Sequence, residues 1–192
     1  MKRDLGHSSG YVLGFHGCDR DLAEAVLSGE QDLVESRNNY DWLGQGIYFW
    51  EGNLERAQRW AIDRQTMPKS SIAHPYAIGA IIDMGRCFDL MRTDHLEMLK
   101  TAHTALQLAW GDGMPQNTGG TDRFLRRLDC AVIQLLHEER KERSAPPFDT
   151  VRGLFQEGVP VYEGAGFCSG NHIQICVRNR DCIKGYFCPI MD

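Results

Sequence analysis

No apolar run in this sequence is long enough to cross a bilayer, which excludes a chain that spans a membrane as a helix. The opening stretch, MKRDLGHSSGYVLGFHG, has neither the apolar h-region nor the small-residue cleavage site of a signal peptide. The expected location is therefore the cytoplasm, with no membrane partner. Paired cysteines are also missing. The seven cysteines (Cys18, Cys87, Cys130, Cys168, Cys176, Cys182 and Cys188) are odd in number and form no C-x-x-C pair. That argues against a disulfide framework and against a structural zinc centre, so the cysteines are expected to be reduced and mostly buried, with no metal bound. Positive charge is not in excess: 21 Lys and Arg face 26 Asp and Glu, a net charge of -5. Nothing then draws the whole chain to duplex DNA or to an acidic membrane surface. Two local basic groups remain, Arg178, Arg180 and Lys184 near the C-terminus and Arg123, Arg126 and Arg127 further in. Each reads first as the solvated face of a strand or helix. No internal repeat is visible, and nothing marks a second domain.

What is present is an ordinary globular mixture of 42% hydrophobic and 24% charged residues in 192, enough for one domain with a substantial core. Residues 11–16 read as a first strand. Asp19 or Asp21 is a candidate N-cap for a helix carrying Leu22, Ala23, Val26 and Leu27, with Gly29 as its stop. Residues 30–45 are polar and turn-rich, hence a loop. A short strand follows at 46–50, then a helix from Asn53 that closes before Pro68. The apolar run 76–84, ended by Gly85, reads as a buried strand. The spacing of Leu and Ala predicts a helix over 94–110. Residues 111–121 read as a flexible loop, and a second long helix is expected over 122–143, stopped by Pro146 and Pro147. The last third turns to strands at 151–155, 159–162, 172–177 and 184–188, with a glycine-rich loop at 164–171. The expected fold class is α+β, a single domain over 1–192 in which about 89–147 form a helical insertion between two β-rich halves.

Two segments carry candidate chemistry. The first is Gly14-Phe15-His16-Gly17. The second is Leu43-Gly44-Gln45-Gly46-Ile47-Tyr48-Phe49, followed by a helical stretch that runs to Trp60-Ala61. Taken singly, a histidine at a strand end reads as structural, Gly-x-Gly as a tight bend, and Ala57, Trp60 and Ala61 as a core face.

Taken together, in this order and at this spacing, the segments resemble the NAD-binding core of the ADP-ribosyltransferases. The resemblance is to the branch of diphtheria toxin and the poly(ADP-ribose) polymerases, whose signature is His-Tyr-Glu, and it suggests a small bacterial toxin-like member. It covers residues 11–61 and, less fully, 170–187. The middle of the chain matches nothing. The resemblance implies a split antiparallel β-sheet core and NAD as donor substrate. It implies that His16 hydrogen-bonds the nicotinamide ribose and that the backbone of Gly17 holds the carboxamide. Glycine suits that task because it lets the main chain come close, and an N–H/C=O pair reads an amide from both sides. Tyr48 would stack on the nicotinamide ring, with Trp60, offset by one residue, as a second aromatic around the cationic pyridinium. Tyr40 and Trp42 would cover NAD.

The third signature residue departs from the pattern. Gln174 stands where the family places glutamate, and an amide offers no full negative charge to an oxocarbenium-like transition state. The resemblance then implies transfer of a single ADP-ribose rather than chain building. Glu157 or Glu163 could supply the missing carboxylate. His172 lies two residues before Gln174, on the same strand face by the period of two, and is a candidate for acceptor choice. The loop 163–171, with Phe167 at its centre, matches an acceptor-recognition loop in position. Arg178 and Arg180 could follow a phosphate backbone.

The leading expectation is a mono-ADP-ribosyltransferase acting on a macromolecular acceptor, RNA or DNA ahead of protein, as the toxin of a toxin–antitoxin or phage-defence system with an antitoxin partner. One alternative is an NAD glycohydrolase, in which water replaces the acceptor. The other is a catalytically degenerate module that binds NAD, ADP-ribose or a partner protein.

Overall fold

A computed structural model describes residues 10–120 and 122–190. The expectation about a leader rests on residues 1–9, which lie outside the described residues.

The chain begins with a long strand, β1 (Tyr11–Asp19), and turns into α1 (Arg20–Leu27). Asp19 ends the strand and caps the helix by accepting from the Asp21 N–H. The same carboxylate accepts from the backbone N–H groups of Ala73 and His74. After a loop come β2 (Ile47–Glu51) and α2 (Leu54–Gln65), the latter capped by Asn53, whose side chain accepts from the Arg56 N–H. Then follow β3 (Pro75–Asp83), β4 (Cys87–Asp89) and α3 (Thr93–Trp110). A two-stranded hairpin, β5 (Asn117–Thr118) and β6 (Leu125–Arg126), leads into α4 (Arg127–Glu142). Strands β7 (Thr150–Phe155), β8 (His172–Val177) and β9 (Ile183–Phe187) complete the chain.

Seven strands form one sheet in the order β4-β7-β8-β2-β1-β3-β9. Every pairing in it is antiparallel except β4 with β7, which is parallel. The two faces have different cover. On one, α1 packs Ala23 and Val26 over Cys18, Phe49, Ile78, Ile82, Ile175 and Val177. On the other, α2 lies over β1 and β3 with Ala57 against Ala77 and Trp50, while α3 and α4 cover the β7–β8 side through Leu106, Ile133, Leu136, Phe88 and Val151. Each covered strand contributes one such alternate set, so burial drives helix docking on both faces at roughly 25 cal/mol per Å².

The expected α+β class holds, as does a helical segment between two β-rich parts. Three local expectations fail. The stretch 111–121 is not simply a loop, because its residues 117–118 pair with 125–126. The second long helix therefore starts at Arg127, five residues late: Asn117 Oδ1 accepts the Leu128 and Asp129 N–H groups and caps it from across the hairpin. The expected strand at 159–162 reduces to a single bridge, Pro160 with Cys168, since proline gives up a ladder donor. The short strand β4 was not expected. It is three residues long, and its pairing partner lies more than sixty residues away in sequence.

Candidate active site

The site begins where the sheet splits. Strand β1 pairs with β3 along its whole length, but with β2 only at Gly14 and Phe15, opposite Glu51 and Trp50. Beyond Phe15 the two central strands diverge. The His16 imidazole fills the opening: its Nδ1 donates to the Tyr48 carbonyl at 2.8 Å. A carbonyl only accepts, so the proton sits on Nδ1 and Nε2 is left as a lone-pair acceptor. Burial holds the His16 pKa below its usual value, against the opposing effect of the Tyr48 hydrogen bond, so the ring is neutral.

Gly17 comes next. The Leu13 carbonyl accepts from Gly52, on the β2 side, and the Arg20 N–H donates to His74, on the β3 side. Backbone groups alternate along a strand, so odd-numbered residues of β1 aim their N–H and C=O toward β2. At Gly17 the ladder has ended, and both groups face the wedge. A side chain would not fit here. A Cβ on Gly17 would lie 3.0 Å from Trp60 Cε3 and closer still to the Ala57 carbonyl oxygen. Glycine thus lets α2 pack directly against the main chain of β1. Trp60, half-buried on α2, borders the wedge and lies 5.7 Å from Trp50 between ring centres.

Tyr48 occupies the β2 side. Its hydroxyl donates to the Gly44 carbonyl at 2.7 Å and accepts from the Leu43 N–H at 3.0 Å. Burial pushes the phenol pKa well up, so Tyr48 keeps its proton at neutral pH and its hydroxyl stays tied to Gly44 and Leu43. The Gly-Gln-Gly bend has two separate causes. Gly44 takes a left-handed φ of 81°, and a Cβ on Gly46 would meet the Val177 carbonyl oxygen at 2.5 Å. Ser36 and Gly46 exchange two backbone hydrogen bonds and close the far end of the wedge. Buried Asp41, which accepts from the Asn38 N–H at 2.7 Å, pins the loop between them. Tyr40 is half-buried on this loop beside it.

One strand further, Gln174 stands opposite Trp50 in register and on the Tyr48 face of the sheet. Its Oε1 accepts from Trp42 Nε1 at 2.6 Å. The Trp42 ring lies over Gly153, where a Cβ would come within 2.8 Å, and meets Phe155 edge-on at 5.1 Å. Trp42 and Gln174 are therefore one unit, although 132 residues separate them.

The outlying candidates divide. Glu157 comes near the sheet, but Arg56 Nη2 holds both its oxygens at 2.9 and 2.8 Å. His172 is buried, stacks on Phe155 at 5.4 Å, donates from Nδ1 to the Gly170 carbonyl and lies 3.6 Å from Glu157. Burial lowers its pKa. Glu163 and Phe167 are exposed on the loop, away from this cluster. Arg178 is put to another use than following phosphates: its Nη1 donates to the Gln45 carbonyl and steadies the bend before β2. Arg180 is likewise engaged, with Asp32, Glu35 and the Leu33 carbonyl. Sequence reasoning passed over Arg56 and Trp50. Arg56 reaches Glu157 across 101 residues, and the Trp50 indole N–H is buried with no partner among the described residues. Neither relation leaves a local signal.

No helix among the described residues is long and apolar enough to cross a membrane. No known family's sequence profile matches the chain, and no solved structure matches it significantly. An uncharacterized protein of Methanocaldococcus jannaschii is 25% identical to it over 194 residues, a match that spans 88% of this chain and 83% of that relative.

Proposed function

We propose that this protein is a mono-ADP-ribosyltransferase that cleaves NAD at the nicotinamide–ribose bond and passes ADP-ribose to a macromolecular acceptor. One observation carries the reading: the β1–β2 ladder ends at Phe15, His16 bonds the Tyr48 carbonyl beyond it, and Gly17 stands past the end of the ladder against Trp60 of α2. The Gly17 N–H and C=O suit a carboxamide, and the Tyr48 and Trp60 rings suit a pyridinium ring. The His16 Nε2 lone pair accepts from a ribose hydroxyl. In the reaction the acceptor nucleophile bonds to the ribose C1′. The C1′–N bond breaks, and its electron pair neutralises the departing pyridinium. The acceptor's proton leaves to solvent. Gln174, held by Trp42, contributes a dipole and not a charge at the oxocarbenium-like centre.

A second reading, a non-catalytic NAD or ADP-ribose module, is favoured by the same corner of the site. Gln174 Oε1 is committed to Trp42 and Glu157 to Arg56. The deciding experiment is incubation of purified protein with labelled NAD and cell lysate, split into RNase-, DNase- and protease-treated portions. Macromolecular label that is lost in one portion, and absent with His16→Ala, is the expected result. Free nicotinamide without macromolecular label indicates hydrolysis. Intact NAD with folded protein overturns the enzymatic reading.

A further inference from the structure

The helical segment matches nothing in the sequence resemblance, yet it builds a groove of about 380 Å³ beside the site. Its walls are Leu96 and Leu99 of α3 and Leu128 and Val132 of α4, and it meets the site at Trp42. Trp42 is thus shared: its edge lines the groove while its indole N–H holds Gln174. The mouth is cationic. Lys100 and Arg126 line it, and Arg123 is exposed on the hairpin turn just before Arg126. Asp129 also lines it and pairs with Arg126 at 3.3 Å, so the positive charge that this carboxylate does not offset is carried by Lys100 and by Arg123 on the turn.

Aromatic surface is interleaved with these cations. Phe124 on the hairpin is 51% exposed and lies parallel to Phe155, at 12° and 6.4 Å. The Arg126 guanidinium stands 4.7 Å over the Phe155 ring, and its Nε is buried without a partner among the described residues. An apolar groove with Trp42 at one end, Lys100 at its mouth and the exposed Phe124 and Arg123 on the adjoining hairpin fits a nucleobase with flanking phosphates, the chemistry of single strands held by stacking and charge. An apolar peptide would use the leucine walls but not Lys100 and Arg123.

We infer that the groove between α3 and α4 is the acceptor-binding site and takes a base of single-stranded nucleic acid, with Lys100 and Arg123 on its phosphates and Arg126, paired with Asp129, fixing the wall between them. Its role as acceptor site rests on the transferase reading; the binding does not. Trp42 then relays acceptor position to Gln174, and the helical segment is the acceptor-reading part of the molecule.

The test is fluorescence anisotropy of labelled 12-nucleotide RNA and DNA single strands with the full chain, without NAD. Leu99→Trp fills the groove, and Arg123→Glu reverses charge at an exposed turn without touching the core. Both are expected to weaken binding at least about tenfold, and Arg123→Glu to make the dependence on salt shallower. His16→Ala is expected to bind strands as the parent does. Preference for one of the two strand types names the acceptor. If the parent chain binds neither strand, or if both groove variants bind like the parent, the inference is overturned, and protease-sensitive label would then point to a protein acceptor. Strand binding that responds to these variants while NAD stays intact would sink the transferase reading and keep the nucleic-acid site.

Discussion

Substituting Gly17 by alanine is the sharpest perturbation of the proposed site, because it adds one methyl group where two elements meet. The new Cβ would lie 3.0 Å from Trp60 Cε3 and nearer still to the Ala57 carbonyl oxygen. The tryptophan edge can swing, but a helix carbonyl cannot. To regain ordinary van der Waals separation α2 must retreat by about 1 Å. Overpacking of this kind costs about 1–3 kcal/mol. For a domain of this size that is a fall in Tm of roughly 2–12 °C. The retreat also carries Trp60 away from the wedge, so NAD cleavage should drop by more than the loss of folded protein explains. Scanning calorimetry and a nicotinamide-release assay on one sample separate the two effects. Adding Trp60→Ala should not restore Tm, since the harder contact is with the Ala57 carbonyl. Parent-like Tm together with parent-like cleavage in Gly17→Ala would refute the close approach and the role given to it.

Other outcomes follow from the same geometry. A carboxylate at position 174 still accepts from Trp42, so Gln174→Glu should keep Tm within about 2 °C while nicotinamide release rises about tenfold through the added charge; slower release would count against Gln174 lying at the reacting centre. His137 is half-buried near Arg178 and Arg140 with its Nε2 shut off from solvent, and its pKa is lowered from 6.5 to about 3, by desolvation first and then by the two guanidinium charges. The unfolded chain thus binds the proton that the folded one refuses, so stability is retained above pH 6.5 and lost as pH falls from there toward 3. This group contributes a slope of up to about 1.4 kcal/mol per pH unit, and His137→Phe should flatten urea-denaturation free energies across that window. His16 and His172 shift in the same direction and add to that slope. Arg56→Met leaves Glu157 half-buried and unpaired. We expect a loss of about 1–2 kcal/mol, held down by the roughly one-fifth exposure of both side chains, and recovery in Arg56→Met/Glu157→Leu. Equal stability of the parent and both variants would mean that the pair contributes nothing.

Much of the framework was legible in the residues. Asp19, Asn53 and Gly29 marked helix ends through capping and left-handed backbone, which are local effects. The strands at 11–19, 75–83 and 172–177 showed through their apolar spacing. His16, Gly17 and Tyr48 are singled out by the order and spacing that resemble the ADP-ribosyltransferase pattern, since each read alone is a structural residue. The hairpin at 117–126 escaped because two-residue strands carry no period, and the short strand β4 because its partner is distant in the chain.

The sequence by itself determined the α+β class and the order of the long elements, since periodicity, caps and tight turns act over a few residues. Only the tertiary structure decided how the site closes. Trp42 meets Gln174 across 132 residues, Arg56 meets Glu157 across 101, and Arg178 turns inward to Gln45 rather than outward to a ligand. These partnerships follow from which strands become neighbours and which sheet face each helix covers. That is settled by the joint burial of side chains far apart in the chain, for which no single segment carries the pattern.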